Sequence, residues 1–335
     1  MANKRVTVYF ATNRLPMLED GTEKIVNFSS ELGPTGGLDV RYGSAQVDVD
    51  LARNTTAVVA GSLKIADERQ VPTAEAPRLL GSNTIFEAIR VDMTRATPTG
   101  LPMAFNDYQH DRTNAAASGL AIARTIRRLH DFVDKLAREL QCDQSIHLLC
   151  HSMGNYVLRN ALQALMRLPD PRPDAGAIIP APSMSSTGPD PSVLRRTFDQ
   201  IVLAAADEDA DAFDDPRKLK YLPRIGQRVT VYHSRKDWVL NTLSAITKFN
   251  GPRLGNDGPD NMGSISDKVT AIDASAVADF AKDPQAHQYY RTVPAVRDDI
   301  AAVFKGVPQN IIANRAANGS GRWAIMPSKR KRAGR

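Results

Sequence analysis

A doubly wound α/β fold, with a mostly parallel sheet and helices on both faces, is what this sequence predicts. Short β-branched or apolar runs bounded by turn residues recur along the chain. Between them lie stretches with apolar residues at three-and-four spacing, and in the second half the two kinds alternate strictly. Strands at Arg5–Phe10, Val40–Val49, Ala57–Val59, Ile146–Cys150, Ile201–Ala206, Val229–His233 and Val269–Ile272 follow from the first pattern. Helices are expected over 83–93, 113–140, 155–168, 238–248 and 294–305. The longest of these places Ile122, Ile126, Leu129, Val133, Leu136 and Leu140 on one face.

The chain has 335 residues, 42% hydrophobic and 24% charged, enough to bury a large core. No internal period suggests a repeat protein, and no apolar run approaches the roughly 20 residues of a membrane helix. The N-terminus enters a strand pattern directly, without a signal-peptide apolar stretch, so a cytoplasmic address is expected. Cys142 and Cys150 are expected to stay reduced. The net charge of +6 resides in residues 321–335, where Arg322, Lys329, Arg330, Lys331, Arg332 and Arg335 occur without an acid. The body is therefore neutral, and any contact with nucleic acid or an acidic membrane is expected to be weak and confined to the tail. Residues 1–306 are expected to form one domain and 307–335 a flexible basic tail. A lid-like loop is expected at 169–191, which holds seven of the 21 prolines.

Chemistry concentrates at His147-Leu-Leu-Cys150-His151-Ser152-Met153-Gly154-Asn155, followed by the helical pattern Val157, Leu158, Ala161, Leu162, Leu165. Strand, sharp turn and helix in that order make a nucleophile elbow, which lifts the Ser152 hydroxyl above the sheet at the positive end of the helix. Cys150 stands where such a turn usually has Gly. A serine hydroxyl needs a histidine base oriented by a carboxylate, and the chain order in this architecture is serine, acid, histidine. Only His233 and His287 follow Ser152, and His233 lies inside a strand pattern, so His287 is the candidate base. Asp237, just past the strand Val229–His233, is the favoured acid. Asp207, with Glu208 and Asp209 at the end of the neighbouring strand, is the alternative. Met153 N–H is the candidate oxyanion donor.

His147, Cys150 and His151 do not assemble a metal site, because a strand sends Cys150 to the face opposite the two histidines. No Gly-rich phosphate loop occurs, and no cofactor is expected. Asp107, His110, Asp111 and Arg112 are read as polar residues near a helix start.

These residues resemble a bacterial α/β-hydrolase family of the esterase/lipase type whose function is unknown. The likeness rests on Tyr9–Arg14, Asp107–Gly119, His147–Asn160, Leu203–Phe213, Val229–Asp237, Arg253–Gly258 and His287–Tyr290, and spans most of residues 5–305. It implies an α/β-hydrolase-like fold in which Ser152 is the nucleophile, Asp237 or Asp207 the acid and His287 the base. The implied reaction is hydrolysis of a small carboxylic ester through an acyl-enzyme. A hydrolase fold that has lost catalysis and binds a ligand or partner is the alternative.

One family element is missing. Family members resemble one another in an early strand ending in His-Gly, the neighbour of the nucleophile strand and source of an oxyanion N–H, and no His-Gly pair occurs in this sequence. The nucleophile strand is then expected to have an open edge, filled by a segment such as Leu101–Phe105 or by a second copy of the chain, and turnover is expected to be slow.

Overall fold

A computed structural model describes residues 4–66 apart from 13, 23, 33–40, 51–54 and 60, the pair 85–86, and 101–327 apart from 141–144, 169–187, 245–250, 279, 281 and 282. Two compact units, Met1–Ala96 and Thr97–Arg335, replace the expected single domain. The division has a physical origin in the strand pairing, which closes within each unit.

In the first unit β1 (Lys4–Thr12) pairs antiparallel with β4 (Arg41–Asp50), which also takes β5 (Thr55–Val58) and β6 (Lys64–Ala66). A separate hairpin joins β2 (Arg14–Leu18) to β3 (Ile25–Leu32). The helix expected over 83–93 is corrected at Ile85–Phe86, which form a short strand, β7, parallel to β1. The rest of that segment lies outside the described residues.

The second unit carries the α/β fold. Its sheet runs β12 (Arg315–Ala317), β13 (Arg322–Ile325), β11 (Val269–Asp273), β10 (Gly226–His233), β9 (Phe198–Ala204), β8 (His147–His151). All neighbours are parallel except the β12–β13 pair. Strand alternation divides the core. Ile201, Leu203, Val229, Val231 and Val269 face the helices α2 (Gly119–Leu140) and α3 (Gly154–Leu165), and Val202, Tyr232 and Ile272 face α4 (Pro294–Phe304). The apolar stripe of α2 packs as the spacing implies, with Ile122, Ile126 and Leu129 on the sheet.

The helix expected from 113 begins earlier. Leu101–Ala117 is a separate helix, α1, so the segment Leu101–Phe105 expected to fill a strand position is helical, and Asp107–Arg112 lie inside a helix rather than at its start. Tyr108 and Ala115 are buried on its inner side, and the Tyr108 hydroxyl donates to Asp207 at 2.6 Å. At the α1–α2 break, a Cβ on Gly119 would lie 2.6 Å from Asn160 Cβ, so only glycine lets α2 approach α3 there.

The expected flexible tail is also corrected. Residues 315–317 and 322–325 complete the sheet, Ile325 is fully buried, and Trp323 packs on the α4 face. No apolar period announces these strands because their neighbours supply the pairing. Lys329–Arg332 and almost all of the proline-rich loop 169–191 lie outside the described residues. Among the described residues β9 is the only strand paired with β8, and no helix is long and apolar enough to cross a membrane.

Arg315 ties this C-terminal segment down by donating from Nη2 to Asp299 Oδ1 at 2.6 Å, with both side chains buried. Stripping one partner from such a pair costs about 3–5 kcal/mol, or roughly 6–20 °C in a unit of this size. Arg315→Ala is therefore expected to lower the melting temperature by that much in calorimetry.

Candidate active site

β8 delivers Ser152 into a left-handed conformation, φ 53°, at the turn into α3. For a side chain with a Cβ this is strained, and the turn is held by several bonds at once. Ser152 N–H donates to Ala204 O at 3.0 Å. Its carbonyl accepts from Asn155 N–H at 3.1 Å, Asp207 N–H at 3.2 Å and Asn155 Nδ2 at 2.9 Å. Both ends of the turn are thereby laced to the end of β9. Met153 stands at the N-cap of α3, where helix geometry leaves the first N–H groups without intrahelical acceptors. The departure at Cys150 is accommodated because its side chain packs toward the α2/α3 cluster, and burial pushes its thiol up to about 12. Cys150 therefore stays protonated at neutral pH.

The turn after β10 carries Asp237, fully buried. One carboxylate oxygen accepts Leu240 N–H at 3.0 Å; the other lies 2.7 Å from His287 Nδ1. Burial, opposed by the hydrogen bond from His287, raises the Asp237 pKa above the ordinary carboxylate value. A carboxylate only accepts, so Nδ1 carries the hydrogen and Nε2 is the basic nitrogen. Among the described residues no hydrogen bond joins His287 to the Ser152 hydroxyl. The two are linked through the preceding residue: His151 Nε2 lies 3.0 Å from His287 O.

The segment carrying His287 is pinned on every side. Trp238 N–H donates to Gln285 O at 2.9 Å, Ala286 N–H to Asp283 O at 2.8 Å, and Gln288 N–H to the Asp283 carboxylate. Tyr289, fully buried, accepts Ala205 N–H at 3.1 Å and donates to Tyr232 O at 2.9 Å, locking the segment onto the ends of β9 and β10. Ala286 is itself left-handed, φ 49°. Asp283 and Tyr289 were missed in the sequence; the Tyr after His287-Gln was their one visible signal. His151 faces the His287 and Tyr290 rings at centroid distances of 4.6 and 4.5 Å. Burial, then the neighbouring His287, push its pKa down to about 3.

Asp207 belongs to a different assembly. Its oxygens take Arg253 Nη2 at 2.7 Å and Tyr108 OH at 2.6 Å, all three side chains being buried. Arg253 also reaches Asp209 at 2.5 Å, and Arg159 reaches the buried Glu208 at 3.3 Å. Ala204–Asp209 and Arg253–Gly258 thus form one clamp, closed by Gly255 N–H to Ala206 O at 3.0 Å and Leu254 N–H to Glu208 O at 2.9 Å. A Cβ on Gly255 would sit 2.5 Å from Ala206 N. Of the two carboxylates, the structure brings Asp237 to His287 and commits Asp207 to Arg253. His233 turns Nδ1 to Asn256 O at 3.1 Å, and His147 stacks on Phe304 at 4.8 Å. Among the described residues no three acidic, histidine or cysteine side chains could hold a metal ion.

A family model described as "Alpha/beta hydrolase of unknown function (DUF900)" matches residues 96–309, more than half of the chain and almost coincident with the start of the second unit. No curated protein and no solved structure matches.

Removing the Asp207 carboxylate leaves Arg253 paired with Asp209 but takes the acceptor from the buried Tyr108 hydroxyl and from one Arg253 nitrogen, so Asp207→Ala is expected to cost about 1–3 kcal/mol in chemical denaturation. His151 supplies a pH dependence. Its pKa falls from 6.5 to about 3 on folding, so the unfolded chain takes the proton first. The associated stability is complete above pH 6.5 and drains away as the pH falls toward 3. Thermal melts across that window are expected to decline less steeply for His151→Gln than for the wild type.

Proposed function

Because the chain belongs to an α/β-hydrolase family of unknown function, we propose that it is a serine hydrolase cleaving carboxylic esters through an acyl-enzyme. The observation that carries this reading is the 2.7 Å pairing of His287 Nδ1 with the buried Asp237 carboxylate, on a segment bonded to the residue before Ser152. Asp237 fixes the tautomer that leaves Nε2 basic and stabilises the imidazolium that forms.

In the reaction, Ser152 Oγ attacks the ester carbonyl carbon while its proton passes to His287 Nε2. The carbonyl π electrons move to oxygen, where Met153 N–H receives the developing charge. Collapse of the tetrahedral intermediate breaks the bond to the alcohol oxygen, which leaves with the proton from Nε2. Water then attacks the acyl-enzyme, gives its proton to Nε2 and releases the acid, and Ser152 recovers its hydrogen.

A second reading, a hydrolase fold that binds without turning over, is favoured by one observation. Among the described residues β8 has no strand neighbour on the side where the family resemblance places the second oxyanion donor. Loss of one such donor costs about 100- to 1,000-fold in turnover.

A fluorophosphonate probe and p-nitrophenyl esters separate the readings. Labelling of the wild type is expected to vanish in Ser152→Ala. Asp237→Asn is expected to lower turnover by up to about 10,000-fold. Labelling without measurable ester turnover supports the second reading, and undiminished labelling of Ser152→Ala overturns the first.

A further inference from the structure

Among the side chains around the site, His151 has no part in the proton transfers, yet it touches both the backbone and the ring of the residue that does. Its Nε2 lies 3.0 Å from the His287 carbonyl oxygen. A carbonyl can only accept, so Nε2 must carry the hydrogen, and His151 is held as the Nε2–H tautomer. Its ring is flanked by His287 at 4.6 Å and Tyr290 at 4.5 Å. The strand reading placed His147 and His151 on one side of β8, and the contacts agree: both meet residues of the α4 side, while Leu148 and Cys150 pack with α2 and α3.

The segment it grips needs holding. Ala286, immediately before His287, is left-handed, a conformation a residue with a Cβ keeps only when its surroundings impose it. The Asp283 and Tyr289 bonds tether the segment on either side of His287. At residue 287 itself, Asp237 holds the ring and His151 holds the carbonyl. Since His151 also directly precedes Ser152, one side chain sets the spacing between the nucleophile turn and the base.

We propose that His151 is a positioning residue for the base: its Nε2–H bond to the His287 carbonyl and its ring contacts hold His287 at the height where Nε2 meets the Ser152 hydroxyl. This rests on the reading of Ser152 and His287 given above. The charge of His151 fits that role. Burial and the neighbouring His287 and Arg291 disfavour its protonation, so no second cation stands beside the imidazolium formed during catalysis.

Three variants separate the hydrogen bond from the packing. His151→Gln keeps an N–H donor at the reach of Nε2, His151→Phe keeps the ring without the donor, and His151→Leu keeps neither. The first readout is the second-order rate of fluorophosphonate labelling together with kcat and KM on a p-nitrophenyl ester. The second is the proton resonance of His287 Nδ1–H, observed by NMR on the full chain, which reports the Asp237 bond whether or not the protein turns over.

His151→Phe is expected to lose about 10- to 100-fold in labelling rate and kcat, with KM little changed and the His287 resonance shifted or broadened. His151→Gln is expected to recover most of both. Phe labelling as fast as the wild type with an unmoved resonance, or Gln no better than Leu, overturns the proposal. A wild type that resists the probe overturns the serine hydrolase reading, and the resonance series then decides the role of His151.

Discussion

A buried carboxylate without a partner is among the most expensive features a protein interior can contain. Asp237 avoids that state through two bonds, one from Leu240 N–H and one from His287 Nδ1. The second comes from 50 residues further along the chain. Much of the geometry around the elbow follows from that requirement: the segment from β11 must cross back over the sheet edge, tolerate a left-handed Ala286, and be tied down at Gln285, Gln288 and Tyr289. The bond that satisfies Asp237 is the same one that orients the His287 ring.

The two acids at neighbouring strand ends illustrate how similar positions acquire different work. Asp207 and Asp237 are both buried, and each needs an N–H or O–H donor for every oxygen. Around Asp207 the donors include Arg253 and Tyr108, and burial with the Asp207 charge pushes Tyr108 up to about 12. That carboxylate therefore works as a clamp between α1, the end of β9 and the Arg253 segment. Around Asp237 the donor is an imidazole, the side chain best suited to exchange a proton at neutral pH. The difference lies in the partner, not in the acid.

The sheet itself is lopsided about the elbow. Four parallel neighbours and an antiparallel strand extend to one side of β8, and within the described residues its other edge is open. Ser152 is nevertheless held rigidly, because its constraints come from β9 and α3: Ala204 O, Asp207 N–H and Asn155. The turn at Ser152 is thus held from the β9 and α3 side of β8.

Much of this was legible in the residues alone. β-Branched runs dictated the central strands, α2 declared its face by periodicity, and the strand–turn–helix pattern around Ser152 followed from local chemistry that needs no distant partner. Chain order narrowed the candidate base to His287. The sequence favoured Asp237 over Asp207, but only tertiary structure could show that the distant imidazole meets Asp237 while Asp207 meets Arg253. The same physics hid α1, which reaches Asp207 through the Tyr108 hydroxyl, and β12 and β13, which become strands by pairing with each other and, for β13, with β11. It also divided the chain into two units, because pairing between strands is a non-local choice. Local propensity and spacing are properties of a sequence; which buried charge meets which donor, and which strand edge meets which, exist only once the chain has folded.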